Sequence, residues 1–109
     1  MSKPVPLTII ERARDLISDE QHWCYGTHAR GRGGFPVSVK HPDARRFCAM
    51  GALLLAASEV CSTAEDADNL AKDIAKMISP TGSLVFINDH RGHAAVLALF
   101  DQAITALQA

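Results

Sequence analysis

From Phe47 to Ala57 the chain runs eleven residues without a charge, Phe-Cys-Ala-Met-Gly-Ala-Leu-Leu-Leu-Ala-Ala, and no other feature limits the fold so tightly. A helix that is apolar on every side has to be covered by neighbours on most of them. A membrane span needs about twenty such residues, so the run predicts a buried central helix rather than a membrane segment. Ala49, Gly51 and Ala52 are small enough to let another backbone come close. Pro42 and Asp43 read as the start of this helix, because proline tolerates the first turn and aspartate complements free amides there. The helix is therefore expected from about Ala44.

Three further helical segments supply the cover. Thr8 and Glu11 have capping-box spacing, so a first helix is expected from there to near Gln21, with Ile9, Ala13, Leu16 and Ile17 on one face and Ile10 widening it. Ser62 and Glu65 repeat that spacing ahead of the stripe Ala67, Leu70, Ala71, Ile74 and Ile78, which predicts a helix from about Thr63 to Ile78. Ser83 to Ile87 is β-branched and aromatic and reads as a brief strand. Its partner would be Phe35 to Val39, confined to an edge by Pro36. Asn88 or Asp89 is then the cap of a last helix carrying Val96, Leu97, Phe100, Ala103, Ile104 and Leu107, and reaching nearly to the C-terminus. The expected architecture is mainly α, a compact four-helix domain with one long ordered loop and a short two-stranded β-ribbon. Residues 1–109 form a single domain in this reading.

The loop, His22 to Lys40, has no helical period, yet it holds the chain's only tryptophan and only tyrosine. Trp23, Tyr25 and Phe35 give it apolar surface that disordered segments lack, so it is expected to be an ordered excursion. A lone tryptophan more often anchors such a loop to the core than stacks on a ligand.

Eleven basic and twelve acidic residues leave a formal charge of -1, which removes the global field that draws a protein onto nucleic acid or anionic lipid. Three cysteines cannot all pair within one chain, and Met1 to Pro6 has no apolar core of the kind a signal peptide carries. A reducing cytoplasm is the expected location, and no membrane partner is expected.

Four constellations could carry chemistry. His22, Cys24, His28, His41, Cys48, Cys61, His90 and His93 include the usual nitrogen and sulfur ligands, but no two cysteines lie closer than the thirteen positions from Cys48 to Cys61. Structural zinc sites show tighter ligand pairs, so neither a metal nor any other cofactor is expected. Cys24, beside histidines in the loop, is the better of two candidate nucleophiles; Cys48 lies in the apolar run and reads as an inert core thiol. Asp89 with His90 and His93 could pair a carboxylate with an imidazole, although a helix cap explains Asn88 and Asp89 more simply. Finally, Arg30, Arg32, Lys40, Arg45 and Arg46 against Asp43 alone put +4 between His28 and Arg46, with Gly31, Gly33 and Gly34 allowing close backbone approach. Trp23, Tyr25, Arg30, Arg32, Arg45 and Arg46 are the candidate ligand-binding residues.

The anchors Trp23-Cys24-Tyr25-Gly26, Phe47-Cys48-Ala49-Met50-Gly51-Ala52-Leu53 and Asn88-Asp89 ahead of Val96-Leu97-Ala98-Leu99-Phe100-Asp101 resemble a family of small uncharacterised bacterial and phage-encoded domains. That resemblance implies a shared fold, assigns no activity and carries over no catalytic residue. The function expected from the residues is a non-enzymatic cytoplasmic binding or interaction domain whose working surface is the His22 to Arg46 loop and the adjacent start of the last helix. Its partner is another protein or a second copy of the chain, since Leu53, Leu55, Ala95 and Leu99 offer an apolar face that a symmetric homodimer would cover. The alternative is a small cysteine- or metal-assisted, hydrolase-like enzyme using Cys24 or Asp89, His90 and His93. A basic-loop binder of nucleic acid or a nucleotide is the further alternative, not favoured because the acidic face of the third helix offsets the loop charge.

Overall fold

A computed structural model describes residues 3–109; Met1 and Ser2, part of the segment read above for a signal peptide, lie outside the described residues. Among the described residues five α-helices are present rather than four: α1 Val5–Leu16, α2 Ala49–Ser58, α3 Ala64–Ile78, α4 Leu84–Arg91 and α5 His93–Gln108. A 3-10 turn, Glu20–His22, and two short strands, β1 Ala29–Arg30 and β2 Arg46–Phe47, lie between α1 and α2. Among the described residues no helix is long and apolar enough to cross a membrane.

α1 starts upstream of Thr8. Pro4 is its N-cap and Pro6 sits in the first turn, where a missing amide proton costs nothing, so Thr8 lies inside the helix with its hydroxyl donating to the Pro4 carbonyl. The helix also stops before Gln21. The Asp19 side chain accepts from the Gln21 amide and caps the short 3-10 turn instead.

α2 is the centre of the molecule and packs against α1, α3 and α4. It begins at Ala49, not near Ala44, because Arg46–Phe47 is used as a strand and Cys48 becomes the cap, its sulfur accepting from the Gly51 amide at 3.2 Å. Pro42 and Asp43 open no helix; the Asp43 carboxylate holds the loop by accepting from the Arg32 amide. Gly51 shows how tightly this helix is covered. A Cβ there would lie 1.9 Å from the His28 carbonyl oxygen, so the loop backbone, not another helix, occupies the close approach.

The loop is organised as a small sheet. Phe47 pairs antiparallel with Ala29 and bridges in parallel to Trp23, while Arg30 pairs with Arg46 on one side and bridges to Pro36 on the other. The Phe35 to Val39 stretch therefore pairs with Ala29–Arg30, where Pro36 takes the edge position that its missing N–H requires. Ser83 to Ile87 is not its partner.

That second segment is helical, which corrects the strand reading. Ser83 caps α4 by accepting from the Phe86 amide, and the buried residues are Leu84 and Asn88, a helical spacing that no strand alternation produces. Asn88 and Asp89 accordingly lie inside α4 and cap nothing. Gly92, at φ 91°, makes the corner into α5. α3 is capped by Thr63 rather than Ser62, its hydroxyl accepting from the Asp66 amide.

Candidate functional site

The sequence assigns Asn88 to a cap; the structure buries it completely and surrounds it with the loop. Its side-chain oxygen accepts from the Trp23 indole N–H at 2.7 Å and from the Ala49 amide at 2.9 Å. Its side-chain nitrogen donates to the Cys24 carbonyl and to Asp89 Oδ1, both at 3.1 Å. Two N–H partners on one end and two oxygens on the other fix the orientation of the amide and use its full hydrogen-bonding capacity. Asp89 Oδ1 also accepts from the Gly26 amide at 3.1 Å, so α4 holds Trp23, Cys24 and the turn at Tyr25–Gly26 through two adjacent side chains. No pattern in the sequence marks Asn88 for this role, because its three loop and α2 partners are 39 to 65 positions away.

His93 closes the other side of Trp23. Its Nε2 donates to the Ile17 carbonyl, and its ring centroid lies 5.6 Å from the indole. Cys24, Asp89 and His93 are thus gathered around the Asn88–Trp23 pair. His90 is not: it is exposed and stacks on Phe86 at 4.4 Å. Asp89 is engaged by two N–H donors, and His93 is tied to a backbone carbonyl. Burial pushes the Cys24 thiol up to about 11, with Cys48 acting in the same direction and Arg30 and Arg46 pulling against it without prevailing. Burial also raises the Cys48 thiol, opposed by the Gly51 amide. Both sulfurs are protonated at neutral pH and poor nucleophiles. Among the described residues no three His, Cys, Asp or Glu side chains are placed to hold a metal ion.

The six candidate ligand-binding residues separate into two groups. Arg32 pairs with Asp43 at 3.2 Å, and Arg45 donates to the Pro42 and Ala44 carbonyls, so these two guanidinium groups are engaged in loop structure. Trp23, Tyr25, Arg30 and Arg46 line one cleft of about 470 Å³ together with Glu20, Cys24 and Gly34. Arg30 donates through Nη1 to the Gly34 carbonyl at 2.9 Å and through Nη2 to the Tyr25 carbonyl at 3.0 Å, bracing one wall against the other. Tyr25 is 60 % exposed although its ring lies only 6.0 Å from that of Trp23. Arg46 is exposed and forms no ion pair among the described residues.

Further, smaller hollows lie elsewhere, two of them against α3. One, about 250 Å³, sits between Lys40 and the start of α3; the other, about 270 Å³, lies between α3 and the start of α4. Neither has an aromatic wall, and Lys72 in the second is already paired with Asp68 at 3.0 Å. The Trp23–Arg46 cleft alone among these three combines aromatic rings with cationic groups.

Residues 1–106 match the model of a family described as a family of unknown function, DUF6197. No curated protein and no solved structure matches the chain.

Proposed function

The chain belongs to the DUF6197 family, and we propose that it is a small non-enzymatic binding domain whose working face is the cleft between Trp23, Tyr25, Arg30 and Arg46. One observation carries this reading: an aromatic ring and a guanidinium group that has no ion pair among the described residues stand exposed on a loop that Asn88 and Asp89 lock to the core. Tyrosine and arginine are enriched among the residues that dominate recognition surfaces, and a fixed backbone leaves only the side chains to be ordered on binding. The loop's hydrogen bonds preorganise the face before any ligand arrives.

Enzymatic use of Cys24, or of Asp89 with His90 and His93, has no comparable support. The thiol is held protonated, and His90 stands apart from the other members. A cytoplasmic setting and a bacterial or phage origin belong to the same proposal, as does association with a second copy. Of the apolar face assigned to that second copy, Leu53 is fully buried and Leu55 and Leu99 pack against the core of a single chain.

The test is amide chemical-shift mapping of the purified protein against a panel of phosphate, a nucleoside monophosphate, an aromatic carboxylate and a short acidic peptide. Saturable shifts concentrated at Tyr25, Arg30, Gly34 and Arg46 are expected from at least one of them. Shifts that concentrate on the hollows beside α3, or none from any member of the panel, would overturn the assignment of the working face.

A further inference from the structure

We infer that the ligand of this cleft is a nucleotide unit, with its base against Tyr25 and Trp23 and its phosphate at Arg46 and Arg30. The inference rests on the cleft being the working face and specifies what occupies it.

Three features of the cleft select this chemistry together. The rings of Tyr25 and Trp23 are tilted by 36° at 6.0 Å, and Tyr25 leaves much of its face open, which provides a platform for a flat ligand. Base stacking on aromatic side chains needs only such a face and tolerates any base. Arg46 offers a whole guanidinium to an anion, whereas Arg30 spends one N–H of each terminal nitrogen on the Gly34 and Tyr25 carbonyls and keeps the remaining protons in a fixed position. Planar, fixed donors suit phosphate oxygens.

Glu20 decides against a simple inorganic anion. Glu20 lines the same cleft, where a carboxylate would repel a second negative group but can accept from a base amino group or a ribose hydroxyl. A ligand with one anionic end and one donor-bearing flat end satisfies all of these residues. The size agrees, since about 470 Å³ lies within the range of about 300–1,000 Å³ usual for small-molecule sites. The formal charge of -1 also argues for one bound unit rather than a long tracked duplex, because the molecule as a whole lacks the positive field that tracking a duplex draws on.

One chemistry has two sources, a free nucleotide and a nucleotide within a single strand. Trp23 is the only tryptophan, so its emission reports on the cleft directly. Titrations should compare adenosine monophosphate, guanosine monophosphate, adenosine, inorganic phosphate and a six-residue single-stranded oligonucleotide against the intact protein and the Arg46→Ala and Tyr25→Ala variants. Both substituted side chains are exposed, so folding is retained and is checked by the melting curve.

The expected result is saturable quenching by a monophosphate or by the oligonucleotide, weakened about tenfold or more in each variant, in keeping with the loss of one stacked base or one charged contact. Stronger binding of the monophosphate identifies a free nucleotide as the ligand; binding of the oligonucleotide alone identifies a strand. Equal binding of inorganic phosphate and the monophosphates would overturn the inference, as would binding that survives both substitutions. If no nucleotide or oligonucleotide binds while the aromatic carboxylate or acidic peptide still shifts the cleft amides, the nucleotide assignment fails and the working face stands. If nothing shifts them, both fail.

Discussion

Two residues hold the loop and the helical core in register, and each makes a prediction. Gly51 lies where the His28 carbonyl touches α2, and that carbonyl is itself fixed by accepting from the Cys48 amide at 3.1 Å. A methyl group there has no room and its neighbour cannot retreat without breaking a hydrogen bond. Gly51→Ala should therefore destabilise the fold by about 3 kcal/mol despite the better helix propensity of alanine, a sign reversal that urea unfolding reads directly. An unchanged or raised midpoint would mean that the loop yields at His28. Asn88 is the second. Asn88→Ala leaves the Trp23 indole N–H, the Ala49 amide and the Cys24 carbonyl without their buried partner, and one orphaned buried group costs about 1–3 kcal/mol. A loss of about 3 kcal/mol is expected, together with a red shift of Trp23 emission as the ring leaves its seat. A small loss with unchanged emission would show that the loop is held by its own sheet pairing instead.

At the scale of elements, α1 is clamped twice from outside the core. Arg12 forms a two-pronged pair with Glu59 at the end of α2, and Arg14 does the same with Asp101 of α5, at 2.7 and 3.3 Å. The hydrogen bond from Arg14 lowers the Asp101 carboxyl below its ordinary value. A carboxyl depressed in the folded state contributes stability above its unfolded value, near pH 4, and loses it as pH falls through the folded value. With Asp101 about half exposed, solvent screening limits the contribution to at most about 1 kcal/mol. Asp101→Asn should thus lower stability slightly at pH 7, by an amount that shrinks as the pH falls below about 4, as followed by thermal melts from pH 7 to pH 2. A deficit that persists undiminished at pH 2 would assign the effect to packing. α4 illustrates a different point: a β-branched, aromatic stretch became a helix because a serine cap and the burial of Leu84 and Asn88 on one face outweigh strand propensity.

For the whole molecule, a Cα radius of gyration of 12.9 Å, close to the value of about 13 Å for a compact domain of this length, requires the loop to lie on the body rather than extend from it. The loop closes through bonds into the core: Cys24 donates to Phe47, Cys48 to His28, and Asn88 ties both segments to α4. The loop and helices should therefore unfold as one unit. Hydrogen exchange at the Cys24, Gly26 and Cys48 amides is expected to match the slowest amides of α2 to within about 1 kcal/mol of opening free energy. Exchange at these three that is faster by several kcal/mol would show a loop that opens independently, and the preorganised cleft would lose its basis.

The sequence alone determined the helices whose burial follows their own period, α1, α3 and α5, and the central position of α2, because an all-apolar helix has no stable place except under cover. It also marked the loop as ordered and its aromatic and basic residues as the candidate site. What it could not specify depends on partners far along the chain. The start of α2 was decided by a strand pairing with Ala29–Arg30, α4 by what it buries, and Asn88 by three bonds across the molecule. The basic residues were equivalent as charges, and only tertiary structure separated them. Arg32 pairs with Asp43, Arg45 turns one terminal nitrogen back onto loop carbonyls away from the cleft, Arg30 is pinned in place, and Arg46 is left open beside Tyr25. Local composition sets what a residue can do; the bonds already made to distant residues set what it has left to offer a ligand.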